Sequence, residues 1–295
     1  MKSGIYTALI TPFLPDGKID WTAFSLLIDQ QMKAKVQGIV LCGTTGEGSS
    51  LTIQEKLSLI RRARSMLSNQ IDLMAGVGLI ATDQTIELAK LAIDAGADSL
   101  LIVTPPYVKP NPSGLIAHFS QICQNIEKEI CLYHIPQRTG QRLSEDLLAK
   151  LCELKQISSI KEATADLFFI SKLVELSKKP SILSGDDLTF LPSLSVGAHG
   201  VISVISNVLP QEFTMLYEAF SQNDHKKALA IHQALIPLLE ALFVESNPAP
   251  IKALMAYLGI CGPTLRSPLG AISESSHSLL ISAYLATKKR LELLS

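Results

Sequence analysis

A parallel (β/α)8 barrel of the TIM type, followed by a C-terminal helical extension, is the fold this sequence predicts. Three observations lead there. Eight short β-type runs recur at intervals of roughly 20–30 residues, the spacing of βα units. Several are apolar almost throughout instead of alternating, as parallel strands covered on both faces are. Helical patterns fill the intervals, and after Ile205 only helical patterns remain. An open doubly wound sheet is the competing arrangement.

The runs are Ile5–Ile10, Gly38–Cys42, Ile71–Ala75, Ser99–Val103, Ile130–Tyr133, Ile157–Lys161, Ser181–Leu183 and Gly200–Ile205. Between the second and third, Thr52-Ile53-Gln54-Glu55 is a capping-box start, with Leu57, Ile60, Ala63 and Leu67 on one helical face. Thr82-Asp83 opens the next helix, with Ile86, Ala89 and Ile93 at helical spacing and Gly96 as its stop. Asp20, Ser144 and Asp166 are further N-caps. The tail reads as helices over Glu212–Phe220, Asp224–Val244, Pro250–Leu258 and Ser273–Leu293, with a kink expected at Pro237. That is more helix than one barrel unit needs. The expected division is a catalytic barrel over 1–223 and a helical domain over 224–295.

Composition narrows the function. The chain has 295 residues, 47% apolar, and a formal net charge of −1. A nucleic-acid surface needs a basic excess, so nucleic acid is not an expected partner. No apolar stretch approaches the roughly 20 residues that cross a bilayer, and no signal-peptide core precedes Thr11-Pro12. The five cysteines show no CxxC pair and read as buried free thiols, so the expected location is the cytoplasm.

In barrel enzymes the reactive groups sit at the C-terminal ends of the strands. Here the second strand leads into Gly43-Thr44-Thr45-Gly46-Glu47-Gly48, and the fourth into Thr104-Pro105-Pro106-Tyr107. The fifth gives Tyr133-His134-Ile135-Pro136-Gln137-Arg138-Thr139-Gly140, the sixth ends at Lys161, the seventh at Gly185-Asp186-Asp187, and the eighth includes Ile202. Lys161 is the most telling of these. A lysine at a strand end points into the barrel mouth, and desolvation there favours the neutral amine, the form that attacks a ketone to give a Schiff base. The backbone N–H groups of the Gly43–Gly48 turn can hold a carboxylate, and the turn lacks the lysine of a P-loop. Arg138 offers a carboxylate its fork. Taken singly, a tight turn, a rim tyrosine and a solvated arginine are ordinary features; at successive strand ends they make a coherent site. His134 alternates away from Tyr133 and reads as structural. Asp186 and Asp187 are a weak metal signal, and no metal is expected.

Three segments carry a resemblance: Gly43-Thr44-Thr45-Gly46-Glu47, Tyr133-x-x-Pro136-x-Arg138-Thr139-Gly140 and Ile160-Lys161-Glu162-Ala163-Thr164. They are similar to the signatures of the pyruvate-dependent class I aldolases, the N-acetylneuraminate lyase family, and within it to the 4-hydroxy-tetrahydrodipicolinate (dihydrodipicolinate) synthases. Phe243-Val244-Glu245-x-Asn247-Pro248-x-Pro250 in the tail also resembles the synthase pattern. The neuraminate lyases share the lysine and tyrosine but lack the arginine-threonine-glycine run, so Arg138 favours the synthases.

The resemblance implies a lyase of lysine and diaminopimelate biosynthesis that joins pyruvate to L-aspartate 4-semialdehyde through an imine on Lys161. It implies that Thr45 holds the pyruvate carboxylate and that Tyr133 relays protons with Thr44. Tyr107 would support them from a neighbouring subunit of a homotetramer built as a dimer of dimers. Arg138 would take the carboxylate of the second substrate, and Gly185 and Ile202 would line the pocket. No cofactor is implied. The runner-up is an aldolase or lyase for a 2-keto-3-deoxy sugar acid working through the same imine, and a further alternative is a barrel binding protein without catalysis. His134 and Gln137 depart from the family pattern without touching the chemistry. Lysine-inhibited relatives carry polar and aromatic residues where this chain has Ile53, Lys56, Ile80, Gln84 and Pro106. Lysine feedback is therefore expected to be weak or absent.

Overall fold

The computed structural model describes residues 2–294. Eight parallel strands close into a barrel in sequence order. They are β1 (Gly4–Ala8), β2 (Gly38–Leu41), β3 (Asp72–Gly76), β4 (Ser99–Val103), β5 (Glu129–His134), β6 (Ile157–Glu162), β7 (Ser181–Ser184) and β8 (Gly200–Ser203). β8 pairs with β1 through Gly4↔Gly200 to Thr7↔Ser203, which leaves no strand edge open.

Each strand is followed by a helix. These are α1 (Trp21–Lys33), α2 (Ile53–Met66), α3 (Thr82–Asp94), α4 (Pro112–Asn125), α5 (Glu145–Cys152), α6 (Leu167–Val174), α7 (Phe190–Ser195) and α8 (Pro210–Ser221). Their starts follow from local chemistry. Asp20 accepts from the amides of Thr22 and Ala23, Ser144 from Leu147, and Asp166 from Phe169. Thr52 and Glu55 form the reciprocal capping box. After α8 come α9 (His225–Ala241, with Pro237 inside it), α10 (Ala249–Tyr257) and α11 (Glu274–Glu292).

Two strands, β1 and β8, end two residues earlier than their runs, and a side chain is the reason each time. β1 stops at Ala8 because Asn207 takes over: its Oδ1 accepts from Ile10 N at 3.0 Å and its Nδ2 donates to Ala8 O at 2.9 Å. β8 stops at Ser203 because the carboxylate of Asp187 accepts from the amides of both Val204 and Ile205 at 2.8 Å. The second tail helix ends at Ala241, before Phe243 and Val244. Of the five cysteines, four are buried and Cys261 is half-buried.

The core has two layers. The larger lies between the sheet and the helices. The smaller fills the barrel: Tyr6, Ala8, Val40, Met74, Leu101, Cys131, Tyr133, Ala163, Leu183 and Ile202. Within a strand the inward residues fall two apart (Tyr6 and Ala8, Cys131 and Tyr133), as pleating requires.

Candidate active site

Strand register builds the centre of the site. β5 and β6 pair Tyr133 with Lys161 and His134 with Glu162. Because side chains alternate, the first pair faces the barrel axis and the second faces outward. Lys161 is 6% exposed, and its Nζ lies 4.2 Å from the centroid of the Tyr133 ring. Among the described residues no carboxylate lies within ion-pair distance of it. Gly185, on the next strand end, leaves room for the lysine: a Cβ there would stand 2.6 Å from Ala163 Cβ and 3.1 Å from Lys161 Cε.

The outward pair is a support. His134 Nδ1 lies 2.5 Å from Glu162 Oε2, both fully buried, while Nε2 accepts from Leu143 N at 3.0 Å. An accepting Nε2 places the ring proton on Nδ1, which donates to the carboxylate. The other Glu162 oxygen accepts from Thr164 N at 2.7 Å. The strand bearing Lys161 is thereby tied to the strand bearing Tyr133 on its far face.

The loop after β2 is tight. Glu47 N donates to Thr44 O and Gly48 N to Gly43 O, which consumes those amides inside the turn. The amides of Thr44 and Thr45 are not used in this way among the described residues. Glu47 adopts a left-handed backbone (φ 51°), and Gly48 is required because a Cβ there would stand 1.9 Å from Cys42 O. The Glu47 side chain turns inward to a fully buried ion pair with Lys252 of α10. Lys252 Nζ also donates to Thr264 O (2.9 Å) and sits 4.1 Å from the Phe13 ring centroid. Burial pulls its pKa below the ordinary lysine value, and Glu47 pulls it back up. Arg266 donates its backbone N–H to the second Glu47 oxygen at 2.9 Å, and its guanidinium pairs with Glu55 at 2.5 Å. That guanidinium holds the Glu55 carboxyl down at about 2.

The tail also reaches the reactive centre. Asn247 donates its side-chain N–H to Thr45 Oγ1 at 2.9 Å, and its backbone carbonyl accepts from Arg138 Nη2 at 3.1 Å. Arg138 stands in a single helical turn, Pro136–Thr139, closed by Gly140. A cavity of about 510 Å³ opens over these groups, lined by Thr44, Thr45, Tyr133, Arg138, Lys161, Gly185, Val204 and Asn247 among others. It suits a small polar ligand.

Six of the eight sequence-predicted residues therefore meet around one cavity: Lys161, Tyr133, Thr44, Thr45, Arg138 and Gly185. Two do not. Ile202 lies in the barrel-filling layer, 1% exposed, and Val204 takes the rim position in its stead. Tyr107 stands apart, 88% exposed with a left-handed backbone (φ 71°). Asp186 and Asp187 are structural. Asp186 accepts from the amide and hydroxyl of Thr189, and burial pushes the Asp187 carboxyl up to about 6. Among the described residues no group of three or more His, Cys, Asp or Glu is placed to hold a metal ion. No described helix is long and apolar enough to cross a membrane. Cys42, beside the site, is an inert thiol whose pKa burial pushes up to about 12. Sequence reasoning quoted Asn247 and Glu47 without giving them work, and it missed Lys252 and Arg266. The one signal was Lys252 itself, the only charge in the apolar run Ala249–Tyr257.

A buried lysine with no carboxylate partner among the described residues, at the barrel mouth with a tyrosine ring beside it, defines a class: the Schiff-base-forming aldolases on a (β/α)8 scaffold. Comparison with known proteins narrows that to one family. The chain belongs to the Dihydrodipicolinate synthetase family, whose model matches residues 1–285. It is 40% identical over 279 residues to the 4-hydroxy-tetrahydrodipicolinate synthase of Methanoculleus marisnigri, covering 93% of this chain and 96% of the relative. The structure of the corresponding synthase from Methylacidiphilum fumariolicum superposes with a TM-score of 0.97 at 38% identity, covering 100% of this chain and 98% of the other. A dihydrodipicolinate synthase from Acinetobacter baumannii, solved in complex with pyruvate, gives 0.95 at 34% identity, with 98% and 99% coverage.

Proposed function

We propose that this chain condenses pyruvate with L-aspartate 4-semialdehyde to give 4-hydroxy-tetrahydrodipicolinate, the reaction named for its relatives. The observation that carries the reading is the Lys161 amine against the Tyr133 ring, 4.2 Å away, with no carboxylate paired to it among the described residues. The amine adds to the ketone carbon of pyruvate and loses water to form an imine. Removal of a methyl proton gives the enamine, whose carbon attacks the aldehyde. The amino group of the second substrate then reaches the imine carbon, closes the ring and releases Lys161. One water leaves in the net reaction.

The roles follow from chemistry. Thr45 donates to the pyruvate carboxylate, and Tyr133 moves protons with Thr44, a contribution of roughly 10²–10⁴-fold for such catalysis. Arg138 receives the carboxylate of the second substrate, and Gly185 keeps space for the imine. The chain works as a homotetramer of paired dimers, in which the exposed Tyr107 serves a neighbouring subunit's site. Its 88% exposure in a single chain, next to the half-exposed Val108, supports that reading.

Borohydride reduction in the presence of pyruvate tests the proposal. Mass spectrometry should find the reduced adduct on the peptide carrying Lys161, and Lys161→Ala should abolish it. An adduct elsewhere, or none in an active preparation, would reject the mechanism. Light scattering of the pure protein tests the assembly, and Tyr107→Phe should lower kcat only in the assembled form.

A further inference from the structure

Thr45 and Asn247 form a buried contact across 202 positions of sequence. Their relative exposures are 4% and 9%, and both line the cavity. A threonine hydroxyl has one proton to give and two lone pairs to offer. One lone pair here is occupied by the Asn247 amide, and the proton has no acceptor among the described residues. The hydroxyl is therefore poised to donate toward the cavity. The Asn247 Oδ1 is itself buried without a partner. Buried side-chain oxygens are normally satisfied, so an amide held this way around calls for a reason.

We propose that Asn247 is a positioning residue: by donating to Thr45 Oγ1 it makes that hydroxyl an obligatory donor aimed at the carboxylate of the keto acid. The inference rests on the reading of Thr45 as the group that holds that carboxylate. The direction of the bond is what matters. An acceptor at position 247 would draw the Thr45 proton to itself and turn oxygen lone pairs toward an anion. The same residue's backbone carbonyl orients Arg138, so one stretch of tail sets both anion-binding groups, one through its side chain and one through its main chain.

The test is a double-mutant cycle between Asn247→Ala and Thr45→Val, read as KM for pyruvate against kcat at saturating second substrate. Thr45→Val should raise the pyruvate KM ~10-fold, the loss of one hydrogen bond to a charged group. Asn247→Ala should raise it several-fold with kcat nearly unchanged, and should add almost nothing in the Thr45→Val background. Asn247→Asp should exceed Asn247→Ala. An unchanged pyruvate KM in Thr45→Val would remove the assigned role of Thr45. With that role intact, an equal Asn247→Ala effect in both backgrounds, or a harmless Asn247→Asp, would overturn the proposal. A merely structural role would lower the melting temperature and kcat together and leave KM alone. Should Asn247→Ala fail to fold, Asn247→Ser, too short to reach Thr45, carries the same expectation.

Discussion

The barrel and the tail bring side chains to one cavity by different means. In the barrel, Tyr133 and Lys161 meet because their strands pair in register. In the tail, Asn247 reaches the cavity while Lys252 and Arg266 hold Glu47 of the loop beside it, through polar contacts spanning 202, 205 and 219 positions. Register is enforced by many apolar contacts at once, so it tolerates a lost methyl group with modest cost. A buried polar contact has a single partner. Removing that partner strands a charge or a donor away from water, whereas removing both together can be nearly neutral.

The sharpest way to break that contrast is Lys252→Met. It leaves the Glu47 carboxylate buried with only the Arg266 amide, and chemical denaturation should show a loss of about 3–5 kcal/mol. The double variant Glu47→Gln/Lys252→Met should recover part of it, since the glutamine oxygen can still accept from Arg266 N. A loss under about 1 kcal/mol for Lys252→Met would mean that the tail, like the barrel, is held by packing alone.

The contrast also explains what the sequence discloses. All eight strands are visible as β-type runs, and the capping box at Thr52 and the N-caps at Asp20, Ser144 and Asp166 mark helix starts, because these are local signals. Six site residues are visible because they stand at strand ends. The ends of β1 and β8 are misjudged because Asn207 and Asp187, distant or unsuspected, take over the amides. Ile202 lies inside β8, in the barrel filling, and it is Val204, just past the strand end, that reaches the rim. The tail's share of the site stays hidden because no local pattern announces a partner two hundred residues away.

Arg138 belongs to both regions, a barrel-loop residue steered by a tail carbonyl. Arg138→Ala should leave the borohydride-trapped pyruvate adduct intact while lowering kcat/KM for the second substrate by about 10²-fold, as expected for a lost charge-assisted contact. Loss of adduct formation as well would show that the two carboxylate sites are not separable.

Asp187 tests the barrel side. Burial raises its carboxyl from 3.8 to about 6, so the folded chain holds this proton more tightly than the unfolded chain does. The associated stability is fully present below pH 3.8 and declines as pH rises through about 6. At 1.36 kcal/mol per unit the whole decline is about 3 kcal/mol at most. Asp187→Asn can keep an oxygen on the Val204 and Ile205 amides while removing the titration. Its stability should fall less steeply than that of the unaltered protein over this window, and identical slopes would mean that Asp187 is not the group responsible.

The smallest expected effect concerns free lysine. Beside the site lies a second cavity of about 500 Å³, lined in part by Ser49, Lys56, Ile80 and Pro106. Lys56 is buried, and burial lowers its pKa. Charged or neutral, it brings no carboxylate to an incoming ammonium. Ile80 and Ile53, 51% and 43% exposed, have no acceptor to offer, and Pro106 has no phenol. At these positions an entering ammonium finds no acceptor to replace its lost hydration, and Glu47, the carboxylate in the lining, is already paired with Lys252, which opposes binding. Steady-state rates should therefore stay flat from micromolar to low-millimolar lysine. Replacing Ile80 and Pro106 with asparagine and tyrosine should create measurable inhibition if those two positions set the response. Strong inhibition of the unaltered protein would mean that lysine is recognised through groups elsewhere, and that the wall of this cavity does not decide its regulation.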